Sequence, residues 1–158
     1  PTLFEALIKN PYMQGLDMSN IKYVVSGGDT LSIEKNEKVN KFLKEHNSKA
    51  HIIQGYGMTE TTGPATFGAK VSDKLGSVGL PLPGNKVKII DRDTMEEVNT
   101  KENGEICISG PTVMSRYLNN REETNAIIKK HPDNIEWVHT SDLGYIDEDG
   151  VLYFLQRL

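Results

Sequence analysis

Apolar and polar positions follow two different patterns along this chain. The pattern in the first part predicts helices that alternate with short buried strands. Residues 2–9 carry apolar side chains at helical spacing, and residues 32–46 do the same after Ser32, a candidate helix cap. Residues 21–25 and 51–53 are short apolar runs, each followed by a glycine-containing loop. This α-β-α-β order predicts part of a parallel sheet, with a ligand at the carboxyl ends of its strands.

The pattern changes near residue 70, where glycine and proline become frequent. One further helix is predicted at residues 121–130. Short β-like runs separated by turns lie on both sides of that helix, at residues 86–90, 105–109, 136–139 and 151–155. Such runs predict a small antiparallel subdomain with a barrel-like or sandwich-like arrangement. The predicted fold class is therefore α/β, with a partial parallel α/β sheet subdomain at residues 1–70 and a β-rich barrel-like subdomain at residues 71–158.

Composition narrows the class of protein. Of the 158 residues, 37% are hydrophobic and 25% charged, which is typical of a globular rather than a disordered chain. The net charge of -4 argues against a nucleic-acid-binding surface. The single cysteine, Cys107, allows no disulfide within the chain and favours a reducing, cytoplasmic location. No signal peptide or membrane-spanning run is visible, and both ends suggest a piece of a longer protein.

The richest candidate chemistry lies at residues 55–60, Gly-Tyr-Gly-Met-Thr-Glu, directly after a predicted strand. The ring of Tyr56 can stack on a base, the hydroxyl of Thr59 can bond a phosphate oxygen, and the carboxylate of Glu60 can hold Mg²⁺. These residues predict a nucleotide-contacting loop that continues in polar form through residues 61–64. The alternatives are that Tyr56 belongs to the core and that Glu60 forms an ordinary ion pair.

Three other features have both an ordinary and a functional interpretation. Residues 26–28, Ser-Gly-Gly, could form only a tight turn or could let the backbone approach a ligand. Asp142 could cap backbone amides in a turn or accept hydrogen bonds from two ribose hydroxyls. Arg157 could be a plain surface charge. The histidines and Cys107 are expected to be structural or at the surface, and the spacing of zinc ligands is absent.

The order of these motifs resembles the adenylate-forming superfamily, which includes acyl-CoA synthetases, aryl-acid ligases, luciferases and peptide-synthetase adenylation domains. The motifs are residues 26–28, 55–60, 104–106, 117–119, 140–142 and 156–157. The likeness covers essentially the whole chain and corresponds to the later part of the large N-terminal domain. The sequences of residues 76–81 and 104–106 are similar to those of the acyl-CoA synthetase branch.

The resemblance implies where the nucleoside would lie. The backbone at Gly27 and Gly28 would line the adenine pocket, and Tyr56 would stack on adenine. Asp142 would bind the ribose hydroxyls, and Arg157 would approach the ribose from the other side.

The resemblance also implies how the phosphate end would be held. Thr59 would bond the α-phosphate of ATP, and Glu60 would help to hold Mg²⁺; these two are the candidate catalytic residues. Gly57, counted among the nucleotide-contacting residues, would border the channel of the carboxylate substrate together with Gly55 and Met58.

The implied reaction has two steps. A small carboxylic acid attacks the α-phosphate of ATP, and the thiol of coenzyme A then displaces AMP. The phosphate loop and the adenylation lysine of the family have no counterpart in this sequence, so the chain alone is expected to be inactive. Two alternatives stay open: an enzyme that loads a carrier protein, and a non-catalytic adenylate-binding domain.

Three residues depart from the family pattern: Ser141 where glycine is usual, Arg116 where a small residue is usual, and Gln156 where glycine or aspartate is usual. The serine before Asp142 puts the ribose contact in question, because it could shift the carboxylate.

Overall fold

The structure is a computed structural model that describes residues 2–68 and 74–158. The predicted boundary between the subdomains, at residues 70 and 71, lies outside the described residues. No helix among the described residues is long and apolar enough to cross a membrane.

The amino-terminal part has the predicted α-β-α-β order. Helix α1 spans Thr2–Lys9, strand β1 Val24–Ser26, helix α2 Ile33–Glu45 and strand β2 Ile52–Met58. Strands β1 and β2 are parallel, as predicted. Helix α2 begins directly after Ser32, whose Oγ accepts a hydrogen bond from the backbone N–H of Lys35 at 3.3 Å. The apolar faces meet in one core cluster: Met18, Leu31, Val39, Leu43 and Ile52.

Strand β1 is shorter and more exposed than the apolar run predicted. It begins at Val24 rather than residue 21, and the side chain of Val25 is exposed. The cause is topological, because β1 lies at the edge of its four-stranded sheet.

The polar loop predicted at residues 55–64 is wrong, because most of this stretch is sheet. Strand β2 runs through to Met58, a single 3-10 turn covers Thr59–Thr61, and β3 follows at Gly63–Phe67. Strand β3 is antiparallel to β2 and pairs on its other side with the short β4, Leu80–Pro81. The first sheet therefore mixes one parallel pair with two antiparallel pairs.

The hairpin formed by β2 and β3 needs a glycine at position 57. A Cβ added there would lie 2.0 Å from the carbonyl oxygen of Gly63, a distance that only a backbone shift could relieve. The pairing of β2 and β3 also changes register between Tyr56 and Gly57. Close strand approach at this irregularity accounts for the glycine without any ligand.

The second sheet is antiparallel throughout. It contains β5, Lys86–Ile90; β6, Gly104–Ser109; β7, Ile128–Lys130; β8, Glu136–Ile146; and β9, Leu152–Arg157. The order is β5-β6-β8-β7, with β9 also paired to β8, and the described strands do not close into a barrel. The α/β fold class is confirmed, with an open antiparallel sheet as its second part.

A helix at residues 121–130 is only partly observed. Helix α3 covers Arg121–Ile127, and the next three residues become β7 because they pair with the start of β8. The core between the two sheets combines residues of β3, β5, β6 and β9 with Val78: Ala65, Val78, Ile89, Ile106, Ile108 and Leu152.

Strand β8 carries Asp142, one of the predicted site residues, and is much longer than the predicted strand at 136–139. It pairs with β7, β6 and β9 in turn, and the register shifts opposite Glu105 and again after Leu143. Within this irregular stretch Ser141 has φ of 56°. The alternation of exposed Ser141 and buried Asp142 turns the carboxylate inward.

Candidate functional site

A cleft of about 460 Å³ lies where the ends of β2 and β9 approach the loop after β1. Its lining includes six of the residues given a site role from the sequence, Gly55 and Gly57 among them, and several others that were not. Six of the lining residues are Gly28, Asp29, Gln54, Tyr56, Asp142 and Arg157. The cleft thus lies at the carboxyl end of the parallel pair, where an α/β sheet places its ligands.

Asp142 is held in this cleft from two sides. The hydroxyl of Tyr56 donates a hydrogen bond to Oδ2 at 2.7 Å, and Nε of Arg157 lies 3.3 Å from Oδ1. Asp142 is 4% exposed, whereas the side chain of Arg157 is 76% exposed. Asp142 and Arg157 are also paired in register on β8 and β9. A buried carboxylate with fixed donors around it is well placed to accept further hydrogen bonds from hydroxyl groups.

Tyr56 stays a hydrogen-bond donor in this environment. Burial, and then the neighbouring carboxylate of Asp142, raise the pKa of Tyr56 above its ordinary value. Its ring stacks on Phe154, with 5.8 Å between ring centroids and 30° between planes. Phe154 therefore fixes the tilt of the ring, and both residues line the cleft.

Ser141, which stands where the resemblance predicts glycine, leaves Asp142 in the cleft. Ser141 takes a left-handed conformation, which favours glycine and is costly for other residues. Its backbone N–H donates to Oε1 of Glu105 at 2.9 Å, and that of Asp142 donates to Oγ1 of Thr140 at 3.1 Å. These two bonds hold the bend in place of the conformational freedom that glycine would supply.

A second cleft of about 640 Å³ adjoins the first and shares Gly28, Tyr56 and Gly57 with it. Gly27 and Thr59 line this second cleft. Its other lining residues include Ser26, Met58, Pro64 and Phe67.

The hydroxyl of Ser26 indicates whether a polar ligand fits the second cleft. Its Oγ is buried and has no hydrogen-bond partner among the described residues. A buried hydroxyl without a partner costs about 1–3 kcal/mol. An oxygen-rich or nitrogen-rich ligand, such as a nucleotide, would fit a site with an unpaired hydroxyl and a buried carboxylate.

Glu60 lies apart from both clefts as far as the described residues show. Its Oε1 accepts a short hydrogen bond from the hydroxyl of Tyr117, and its carbonyl oxygen accepts one from the N–H of Met114 at 2.8 Å. The bond to Glu60 raises the pKa of Tyr117 to about 12, so the phenol remains a donor. A carboxylate with one oxygen bonded to a phenol keeps free lone pairs, which fits a hard cation such as Mg²⁺.

The structure thus brings together three of the predicted residues, because Tyr56 and Arg157 each contact Asp142. The glycines and Thr59 line the adjoining clefts, and Glu60 pairs with Tyr117 instead. The contacts of Phe154 and Tyr117 were not predicted. A strand-like run around Phe154 and the motif at 117–119 were visible, but nothing local indicates a partner far away in sequence.

Comparison with known proteins places this geometry in a family. Residues 1–118 match the family model described as AMP-binding enzyme. The chain is 39% identical over 158 residues to luciferin 4-monooxygenase of Photinus pyralis, covering 100% of this chain and 27% of that protein. It is 35% identical over 164 residues to 4-coumarate–CoA ligase 3 of Arabidopsis thaliana, covering 100% of this chain and 28% of the ligase.

Solved structures of other proteins have a similar fold. A long-chain-fatty-acid–CoA ligase of Archaeoglobus fulgidus matches with a TM-score of 0.88 and 27% identity, over 99% of this chain and 32% of that one. ATP-bound MatB of Rhodopseudomonas palustris matches with a TM-score of 0.84 and 27% identity, over 99% and 29%. The chain spans a little over a quarter of the length of the curated relatives named here. This chain belongs to the AMP-binding enzymes, the adenylate-forming superfamily that its motifs resemble.

Proposed function

We propose that this chain is part of an ATP-dependent carboxylate–CoA ligase, an AMP-forming acyl-CoA synthetase. The enzyme joins a small carboxylic acid to AMP, releases pyrophosphate, and transfers the acyl group to coenzyme A. The observation that carries the proposal is the buried carboxylate of Asp142, fixed between Tyr56 and Arg157 in the cleft. Relatives named as CoA ligases support the choice of acceptor.

In this proposal the first cleft holds the ribose of ATP, and adenine lies where the first cleft adjoins the second, which Gly27 lines. The carboxylate of Asp142 accepts hydrogen bonds from two vicinal ribose hydroxyls, and exposed Arg157 approaches the same sugar from the side of β9. Gly27, Gly28 and the ring of Tyr56 provide the walls for adenine. Since the donors to Asp142 are already in place, little side-chain ordering remains to be done when the nucleotide binds.

The phosphate end is assigned to Thr59 and Glu60. The exposed hydroxyl of Thr59 donates to an α-phosphate oxygen, and the carboxylate of Glu60 contributes to a Mg²⁺ site. Bound Mg²⁺ would offset the negative charge of the phosphates. The acid substrate needs no general base, because its carboxyl group is ionised near neutral pH. Positioning and charge neutralisation are then the main tasks of these residues.

We also propose that the chain by itself does not adenylate an acid. It spans about a quarter of the length of its relatives. Among the described residues that line the two clefts, the one cationic side chain is Arg157, which is assigned to the ribose, so the phosphates lack a positively charged partner from the protein. Pyrophosphate exchange by this chain at the rate of the intact protein would overturn that part.

The intact protein tests the function directly. A panel of carboxylic acids is incubated with ATP, Mg²⁺ and coenzyme A, and release of pyrophosphate and of acyl-CoA is measured. We expect acid-dependent pyrophosphate release, and coenzyme A consumption in step with it. Asp142→Asn should raise the KM for ATP roughly 10–100-fold, because hydrogen bonds to a charged acceptor are worth about 1.5–3 kcal/mol. Pyrophosphate release without any thioester, in the presence of coenzyme A, would overturn the assignment of the acceptor.

A second candidate is a monooxygenase like the luciferin 4-monooxygenases, favoured by the 38–39% identity to three of them. Light emission from luciferin and ATP in the absence of coenzyme A would support this candidate. Thioester formation without light would exclude it.

A further inference from the structure

Three residues with metal-binding side chains gather on the antiparallel sheet, outside the residues that line either cleft. Cys107 lies on β6 and is paired in register with His139 on β8. His131 follows β7, in a turn closed by a hydrogen bond from its N–H to the carbonyl of Ile135 at 3.0 Å. All three side chains are buried. The wide spacing of these residues in sequence is why no metal-ligand motif was apparent.

The potential donor atoms are close together. The Sγ of Cys107 and one ring nitrogen from each histidine all lie within 4.8 Å of one another. The two Nε2 atoms are 2.9 Å apart. At Zn–N distances of about 2.0–2.1 Å, two imidazoles of a tetrahedral site have nitrogens roughly 3.4 Å apart. A small separation of the rings would therefore admit a cation between them.

A second, independent feature orients one of these ligands. Nδ1 of His139 lies 3.1 Å from Oε2 of Glu105, and both residues are buried. This bond places the proton on Nδ1 and leaves the lone pair of Nε2 facing Nε2 of His131, 2.9 Å away. A carboxylate behind a histidine is the usual outer partner at metal sites, where it fixes the ring and raises its basicity.

We propose that Cys107, His131 and His139 form a binding site for Zn²⁺. One sulfur and two imidazole nitrogens are the ligand types that Zn²⁺ prefers, and they provide three of the four positions of a tetrahedral site. Binding replaces the thiol proton of Cys107, which is released to solvent, by a Zn–S bond. The site is distinct from the Mg²⁺ proposed at Glu60, because Mg²⁺ requires oxygen ligands.

Charge around the site is compatible with a divalent cation. The thiolate of Cys107 supplies one negative charge at the site, and the carboxylate of Glu105 lies behind His139. That carboxylate also pairs with Nε of Arg92, 3.6 Å from Oε2, so part of its charge is already balanced. Lys88 acts on His131 electrostatically, but its Nζ is paired with Asp133 at 3.3 Å and lies 4.2 Å from the centre of the Trp137 ring. The alternative is a histidine pair joined by a hydrogen bond, with Cys107 serving only as a packed thiol.

The test uses the intact protein, purified without a histidine tag and dialysed free of metal. Zn²⁺ is titrated against a competing chelator, and Co²⁺ is added separately as a spectroscopic probe. We expect one Zn²⁺ that is lost in Cys107→Ala and in His131→Gln, together with a cobalt–thiolate charge-transfer band. Glu105→Gln should weaken Zn²⁺ binding roughly 10–100-fold, as outer-shell changes do. His51→Gln, directly before β2 and outside the cluster, is the matched control and should bind Zn²⁺ as the unaltered protein does.

A measurement on the unaltered protein guards against variants that fail to fold. In urea below the unfolding midpoint, where local opening exposes the buried thiol, Zn²⁺ should protect the Cys107 peptide from alkylation, as quantified by mass spectrometry, and Mg²⁺ at the same concentration should not. Unchanged alkylation of Cys107 in saturating Zn²⁺ would overturn the proposal. Zn²⁺ binding that survives in Cys107→Ala and His131→Gln, with the folds of both confirmed by circular dichroism, would overturn it as well.

Discussion

The hydroxyl of Tyr56 donates a 2.7 Å hydrogen bond to Oδ2 of Asp142, across 86 residues of sequence. The bond joins the first sheet to the second at the floor of the cleft. It also makes the two residues a single unit, because the position of the carboxylate depends on the tyrosine and the orientation of the ring depends on the carboxylate.

Tyr56→Phe should therefore weaken nucleotide binding through Asp142. Removing the donor leaves a buried carboxylate with one partner fewer, which costs about 1–3 kcal/mol. We expect a lower free energy of unfolding and a raised KM for ATP in the intact protein. Tyr145→Phe, which removes a hydroxyl from a ring stacked on Tyr153, is the matched control. An unchanged KM in Tyr56→Phe would show that the bond does not position Asp142.

Glu60→Gln should impair Mg²⁺-dependent turnover far more than folding. The change removes the charge that would hold the cation, but an amide still accepts the hydrogen bond from Tyr117. The half-saturating Mg²⁺ concentration of the intact enzyme should rise while the unfolding midpoint changes little. The control is Glu122→Gln in the first turn of α3. A normal Mg²⁺ dependence would count against the metal role of Glu60.

Ser141→Gly should stabilise the protein. A left-handed backbone costs a non-glycine residue roughly 1–2 kcal/mol, which exceeds the roughly 0.5–1 kcal/mol of extra unfolded-state entropy of glycine. Urea unfolding should therefore show a gain of up to about 1 kcal/mol. Asn134→Gly is the comparison, since Asn134 has φ of 62° but asparagine tolerates this region. Equal gains at both sites would contradict the idea of strain at Ser141.

Gly57→Ala should damage the fold itself. The added Cβ would meet the carbonyl oxygen of Gly63 at 2.0 Å, whereas a Cβ at Gly27 would lie 3.5 Å from its nearest neighbour, the carbonyl oxygen of Gly55. We expect Gly57→Ala to lose at least about 1–3 kcal/mol, the usual cost of overpacking, and Gly27→Ala to be close to neutral in stability. Nucleotide binding by Gly27→Ala then reports on the cleft alone. A stable Gly57→Ala protein would show that the hairpin can open.

Acid should destabilise the protein partly through Asp147. Burial raises the pKa of this carboxyl group, but hydrogen bonds from Lys74, Val151 and Asp149 outweigh it and hold the pKa below its ordinary value of 3.8. A depressed pKa in the folded state stabilises the protein above the unfolded value, and this contribution is lost as the pH falls through the folded value. The loss therefore begins below about pH 4.

Asp147→Asn should flatten the decline in unfolding free energy below pH 4. Asp149→Asn is the matched control, because Asp149 contacts the same Lys74 from an exposed position. The check is urea unfolding across the acid range. An equally steep decline in Asp147→Asn would assign the acid sensitivity to other carboxylates.

The sequence by itself determined the order of the first four elements, α1, β1, α2 and β2, and the family. Helical spacing and a serine cap were enough for α1 and α2, since both depend on local contacts. The order of six motifs, including the block at 55–60, resembles the adenylate-forming superfamily, and the family model confirms that resemblance. The motifs alone predict Tyr56, Asp142 and Arg157 as site residues, without any knowledge of the contacts among them.

The tertiary structure decided what depends on distant partners. Residues 55–58 and 63–67 became a hairpin because Gly57 can pack against Gly63, a pairing that no local pattern reveals. Strand β8 extends over eleven residues because three different strands pair along it. The same pairing set Cys107 beside His139 and directed Asp142 into the cleft. Local periodicity could not supply these contacts, since each requires a register between segments far apart in the chain.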